Sequence, residues 1–251
     1  MNKSLSVIVI THNESARLRA CLESVAFAGE VVVVDSGSSD GTVELARSMG
    51  ARVVQTPDWP GFGPQKNRAL DLATGDWIFS IDADERVTPE LREEIQSVVS
   101  NGEFAGYSVC RRSSYCGQYM DHSGWNPDCV VRLVRRGSAR FSDVQVHEAL
   151  QVQGTVGRLQ GKLLHESYDN LETVLEKVNR YSTAGARDLQ RKGVTGSLGK
   201  ALGHGLWAFL RTYLLKRGFL DGRLGLALAI SNAESSYYRY LKLWLLQRGP
   251  G

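Results

Sequence analysis

Asp82, Asp84 and Glu85 place three carboxylates within four residues, directly behind the apolar run Trp77-Ile78-Phe79-Ser80-Ile81. Like charges at this spacing repel, so something must offset them. Two carboxylates at i and i+2 on a strand end can chelate a hard divalent cation, directly or through water. Mg²⁺ and Mn²⁺ favour such oxygen donors and usually share them with substrate phosphates. The competing reading is an exposed acidic turn paired with arginines such as Arg86. The position of the pair, straight after a buried strand, favours the metal. Further polar clusters with donor and acceptor chemistry are Thr11-His12-Asn13-Glu14 and Asp35-Ser36-Gly37.

All three clusters follow runs of strand length. Residues 5–10 (LSVIVI), 30–35 (EVVVVD), 51–56 (ARVVQT) and 76–82 (DWIFSID) are near-continuous apolar runs, the pattern of strands buried on both faces. Helical patterns lie between them. Leu18, Cys21, Leu22 and Val25 repeat at i, i+3, i+4, i+7, and residues 40–50 read as a helix ending at Gly50. Residues 63–75 read as another helix. Thr88 and Pro89 open a helix over residues 88–100 as N-cap and first helical residue. Alternation of strand and helix predicts an open α/β sheet, whose ligands bind beyond the carboxyl ends of the strands. The three clusters sit at those ends. After about residue 103 the pattern changes to strands with polar alternation, then a short strand leading into a helix with Leu171, Val174, Leu175 and Val178 on one face.

Composition is that of a globular chain, with 42% hydrophobic and 23% charged residues. Charge is unevenly spread. Residues 187–251 hold 11 Lys/Arg and 3 Asp/Glu, a net +8, while residues 1–186 hold 19 and 24, a net −5. A basic segment seeks phosphate, as nucleic acid or as an anionic membrane. Within it, the stretch LWAFLRTYLLKRGFL mixes large apolar side chains with Arg211, Lys216 and Arg217, and reads as an amphipathic basic helix at a membrane interface. No segment reaches the length of an uninterrupted apolar span, and no nucleic-acid motif accompanies the charge. The apolar run near the N-terminus is too short for a signal-peptide core. Cys21, Cys110, Cys116 and Cys129 form no C-x-x-C pair, so no zinc site is expected, and a chain this long needs no disulfide staples, so the reading is reduced cysteines in a cytoplasmic setting. A dehydrogenase is disfavoured because no G-x-G-x-x-G follows a strand. A nucleotidyltransferase is disfavoured because ITHNESARLR has no glycine to cradle a triphosphate.

The segments SVIVITHNE, VVVVDSGSSDGT, KNRALDLATGDWIFSIDADE and VHEAL, in this order, resemble family 2 glycosyltransferases of the GT-A fold. The resemblance covers roughly residues 4–185. RLVRRGSARFSDVQVHEAL, LLHESYDN and VNRYS further resemble the subgroup that adds a hexose to the inner core of lipopolysaccharide. The resemblance implies an inverting enzyme that uses a nucleotide-diphosphate sugar, here a UDP-hexose, with Mg²⁺ or Mn²⁺. It implies that Thr11, Asn13, Glu14 and Asp35 hold the nucleobase and ribose, and that Lys66 and Arg68 meet the diphosphate or base. Asp82 would face the ribose or metal, Asp84 would ligate the metal, and His165 would complete the metal site, with His147 a weaker candidate. Inversion needs one general base for the acceptor hydroxyl. Glu148 matches by motif order, although the usual Glu-Asp pair is missing there; Asp128 is its rival. Trp125 could stack on a sugar face or be plain core.

The expected organisation is a GT-A catalytic domain over residues 1–192, with a nucleotide half to about 103 and an acceptor half from about 104, then a basic helical region over 193–251. The expected activity is transfer of a hexose, glucose first, to a heptose of lipopolysaccharide inner core. The expected location is peripheral, on the cytoplasmic face of the bacterial inner membrane. Transfer to another cell-surface glycolipid or polysaccharide is the alternative, and a non-catalytic nucleotide- or membrane-binding scaffold the second.

Overall fold

The computed structural model describes residues 4–142 and 149–248. Contacts divide the chain into two compact units, residues 1–111 with 128–165, and residues 112–127 with 166–251.

The first unit opens with the expected alternation. Strands β1 (Leu5–Thr11), β2 (Glu30–Asp35), β3 (Arg52–Gln55) and β4 (Trp77–Ser80) alternate with helices α1 (Ser15–Ser24), α2 (Thr42–Ser48) and α3 (Phe62–Leu72). Strand β5 (Glu85–Val87) and helix α4 (Pro89–Asn101) follow. Gly50 at φ +83° takes the left-handed position just beyond α2. Thr88 caps α4, its hydroxyl accepting from the Leu91 amide, with Pro89 behind it. The remaining strands are β6 (Gly106–Tyr115), β7 (Gln118–Tyr119), β8 (Asp128–Arg135), β9 (Ala139–Phe141), β10 (Leu150–Val152) and β11 (Val156–Tyr168).

The main sheet runs β3-β2-β1-β4-β8-β6-β11-β5. Its first four strands are parallel, and β8 against β4, β6 against β8 and β5 against β11 are antiparallel. This is the mixed α/β sheet that the resemblance implies. Strands β1, β2 and β4 are buried along almost their whole length, with Val7, Val9, Val33, Trp77 and Phe79 in one core cluster. That burial explains their unbroken apolar runs: a strand covered on both faces has no solvent side to make polar.

Cys110 and Cys129 face each other in the β6–β8 register and are joined by a disulfide. The reading of four reduced cysteines is corrected there, because antiparallel register juxtaposes residues that sequence spacing leaves unrelated. Denatured without reductant, the chain is expected to react with two equivalents of thiol reagent, at Cys21 and Cys116, and with four after reduction. Four reactive thiols without reductant would remove the crosslink. In the folded protein Cys21 should react last, since burial pushes its thiol far up.

In the second unit, helices α5 (Leu171–Arg191), α6 (Leu198–Leu210) and α7 (Gly222–Arg248) pack together. Asn170 caps α5 and Ser197 caps α6. The stretch expected to be one amphipathic helix is instead broken. Helix α6 ends in a π-helical turn (Arg211–Leu215), and a 3₁₀ turn (Gly218–Asp221) leads into α7. Glycine makes the break. A Cβ on Gly218 would lie 2.8 Å from the Thr212 carbonyl, and one on Gly225 only 1.9 Å from the Gly218 carbonyl, so the turn closes on α7 at backbone distance. No helix among the described residues is long and apolar enough to cross a membrane.

Candidate active site

The parallel pairing of β1 with β2 sets Thr11 beside Asp35. The Thr11 hydroxyl donates to Asp35 Oδ2 at 2.8 Å, and the fully buried Asp35 also accepts from the Gly37 amide (3.0 Å), the Ser38 amide (2.9 Å) and the Ser38 hydroxyl (2.5 Å). Four donors on one carboxylate fix the loop after β2. The loop after β1 is sewn to it. Asn13, at φ 57°, donates its amide to Ser38 Oγ and accepts from the Ser39 amide, and the Glu14 amide donates to Thr42 Oγ1 at 2.8 Å. Thr11, Asn13, Glu14 and Asp35 are thus brought to one edge, as expected. Asp35 is at the same time the organiser of that edge.

The acidic cluster is offset by two buried cations. Lys66, on α3, reaches Asp82 Oδ1 at 2.9 Å, and Arg132, on β8, reaches Asp82 Oδ2 at 2.6 Å. The same Arg132 Nη2 binds Glu85 Oε1 at 2.6 Å, while the Asp82 amide donates to Glu85 Oε2 at 2.9 Å. Glu85 is completely buried, and Lys66 and Arg132 nearly so. Burial pushes the Asp82 carboxyl up, but Arg132 and Lys66 outweigh it and hold it far below the usual range. For Glu85 burial wins, and its carboxyl is raised despite Arg132. Arg86, the cation first suggested as partner, donates to the backbone carbonyls of Ala83, Glu85 and Arg17.

Asp84 is left facing a different group. The β5–β11 register pairs Glu85 with His165, and the His165 ring brings Nε2 to 3.3 Å from Asp84 Oδ2. Burial raises the Asp84 carboxyl, and the hydrogen bond and charge of His165 more than reverse this. One carboxylate oxygen and one imidazole nitrogen therefore converge, a donor set that suits a divalent cation completed by phosphate oxygens and water. Both oxygens of Asp82, by contrast, already face a cation. Among the described residues no group of three or more His, Cys, Asp or Glu is arranged to hold a metal on protein donors alone.

The other expected residues are dispersed. Arg68 is committed to Asp58 through two bonds of 2.9 and 2.6 Å at the surface. Asp128 Oδ2 accepts two bonds from Arg111, at 2.9 and 2.7 Å. Trp125 lies in the second unit, stacked on Tyr168 with centroids 5.7 Å apart. His147 and Glu148 fall outside the described residues. Sequence reasoning missed Arg132 and Arg111. The signal for Arg132 was an arginine inside the apolar run Val130-Val131-Arg132-Leu133-Val134, where burial calls for a partner such as an anion.

The glycosyl transferase family 2 model matches residues 6–155. A lipopolysaccharide core biosynthesis glycosyltransferase, LpsC of Rhizobium meliloti (strain 1021), is 34% identical over 94% of this chain and 93% of its own length. A glycosyltransferase of Rickettsia prowazekii (strain Madrid E) is 30% identical over 96% of this chain and 87% of its own. Among solved structures, S. aureus TarS residues 1–349 in complex with UDP is similar with a TM-score of 0.51 and 17% identity, covering 98% of this chain and 91% of that one. By that family model and these relatives, the chain is an enzyme that belongs to glycosyl transferase family 2.

Proposed function

We propose that this glycosyltransferase moves a hexose, with glucose the expected one, from a UDP-sugar to a heptose of lipopolysaccharide inner core. The acceptor class is supported by the likeness to LpsC along nearly the whole of both chains. The donor site is supported by the edge built from Thr11, Asn13, Glu14 and Asp35. The observation that carries the reading is the Asp84–His165 pair at 3.3 Å, beside an Asp82 already neutralised by Lys66 and Arg132.

In this reading Asp84 and His165 hold a divalent cation, with Asp82 as neighbour. Bound there, a cation would supply Lewis-acid stabilisation of the leaving diphosphate. The acceptor hydroxyl attacks the anomeric carbon from the face opposite the diphosphate. The new carbon–oxygen bond forms as the bond to the diphosphate oxygen breaks, which inverts the centre and releases UDP. The hydroxyl proton passes to a carboxylate. Glu148 is the proposed base, since Asp128 is engaged by Arg111.

The test is UDP release from UDP-glucose with a heptose-bearing core fragment, with and without Mn²⁺ or Mg²⁺. Release should require both acceptor and metal. A parallel thermal-shift panel of UDP, GDP, CDP and dTDP should show the largest rise for UDP with metal. A hundredfold excess over Kd adds about 2.7 kcal/mol, or roughly 5–10 °C for a chain of this size. A larger rise with another nucleotide would overturn the donor, and metal-independent turnover would overturn the role of Asp84 and His165.

A further inference from the structure

The basic stretch noted in the sequence folds into a corner that the transferase site does not use. Helix α6, the π-helical turn and the 3₁₀ turn expose large apolar side chains in consecutive elements: Leu202, Leu206, Trp207, Leu214, Leu215 and Leu220. Each is at least half exposed, from 51% for Leu214 to 64% for Leu215. Soluble surfaces scatter such residues singly; a run of them on one segment marks an interaction face. The buried side of α6, at Ala201, Gly205 and Ala208, is small, and Tyr237 of α7 packs against Gly205. The large residues thus point away from the helix that α6 packs on.

The charge on this corner has one sign. From the start of α6 to the end of the exposed run, residues 198–220 contain Lys200, Arg211, Lys216 and Arg217 and no Asp or Glu, while Arg191 and Lys192 before it are paired with Asp188. The next acid, Asp221, is turned inward, where it accepts from the Ser123 hydroxyl at 2.7 Å and from the Asp121 and His122 amides. Arg211, Lys216 and Arg217 are exposed, and the described residues offer none of them a carboxylate partner.

We infer that this corner docks on an anionic lipid bilayer, Leu214, Leu215 and Leu220 entering the headgroup layer while Arg211, Lys216 and Arg217 meet lipid phosphates. Apolar side chains interleaved with unpaired cations are the composition of an interfacial segment. A second copy of the chain is the poorer occupant. A two-fold contact through this face would set the same cations against themselves with no acid to pair them. Nucleic acid would satisfy the cations and leave the leucines in water.

Full-length protein should co-sediment with vesicles of phosphatidylcholine containing phosphatidylglycerol, and not with phosphatidylcholine alone. Each cation strengthens adsorption to an anionic surface by about fivefold, so Lys216→Glu with Arg217→Glu should weaken binding more than tenfold. Leu215→Asp with Leu220→Asp should do the same by removing the apolar part. All four positions are exposed, so circular dichroism and Tm should stay at wild-type values. The two variants remove different forces, and either one decides the matter if the other fails to fold. Absence of binding to the anionic vesicles, or equal binding by folded variants, overturns the proposal. So does a wild-type dimer that Leu215→Asp with Leu220→Asp dissociates while vesicles stay unbound. Vesicle binding requires no sugar, so failure here leaves the proposed transferase reaction untouched.

Discussion

Asp84→Asn should lower kcat/KM by about 10³-fold or more while moving Tm by no more than about 2 °C. The asymmetry follows from what Asp84 touches. Its side chain is 23% exposed and faces His165, and an asparagine oxygen can still accept that hydrogen bond. The fold therefore loses little. On the proposed reading, the reaction would lose a charged oxygen donor to a cation that would offset the leaving diphosphate, a contribution of several kcal/mol in the transition state. Steady-state UDP release and a melting curve on the same preparation check both halves. Mn²⁺ binding in the presence of UDP, read by electron paramagnetic resonance, should weaken in parallel and should weaken also in His165→Ala. A drop in Tm of about 10 °C, tracking the lost activity, would instead make Asp84 a structural ion-pair partner. Asp82→Asn is the useful contrast: it removes the charge that Lys66 and Arg132 share, so stability and activity should fall together.

The legible part of this molecule was its local chemistry. Strands buried on both faces announce themselves as unbroken apolar runs, Thr88-Pro89 marks a helix start, and two aspartates behind such a strand pose an electrostatic problem that demands a solution. The parallel half of the sheet, and the convergence of Thr11, Asp35 and Asp82 at its edge, could be read from these signals. The solution to the electrostatic problem could not. Arg132 comes from an antiparallel strand fifty residues beyond Asp82, and its partners depend on which strand lies beside which. The same ignorance of register concealed the Cys110–Cys129 crosslink. The composition of the C-terminal stretch was read correctly as basic and apolar, but its break at Gly218 depends on a backbone contact with Gly225 that no periodicity records.

The dependence of the acidic turn on a distant strand leads to the second large effect. Arg132→Met should destabilise the fold by about 3–5 kcal/mol, lowering Tm by roughly 10 °C. Arg132 Nη2 holds Asp82 and Glu85 at once, both at 2.6 Å. Without it, Asp82 keeps Lys66, but Glu85, completely buried, keeps the neutral Asp82 amide at 2.9 Å and, as a cation, Arg111 at 3.7 Å. Stranding one buried charge costs far more than the intact pair contributes, because the desolvation penalty remains and the attraction does not. Denaturant unfolding of the wild type, the two single variants and the Arg132→Met/Glu85→Met double variant isolates this. The double variant should be at least about 1 kcal/mol more stable than the sum of the singles predicts. The deficit should also depend on pH. Glu85 already has its carboxyl raised by burial, and losing Arg132 raises it further. A carboxyl whose folded-state pKa lies above its unfolded value binds its proton more readily in the native state, so stability falls as pH rises through that window. The Arg132→Met deficit should therefore be full at neutral pH and shrink as pH falls toward the ordinary carboxylate range. A deficit that is independent of pH, with additive double-variant energies, would mean that Arg132 acts through packing of its stem and not as the counter-ion of the acidic turn.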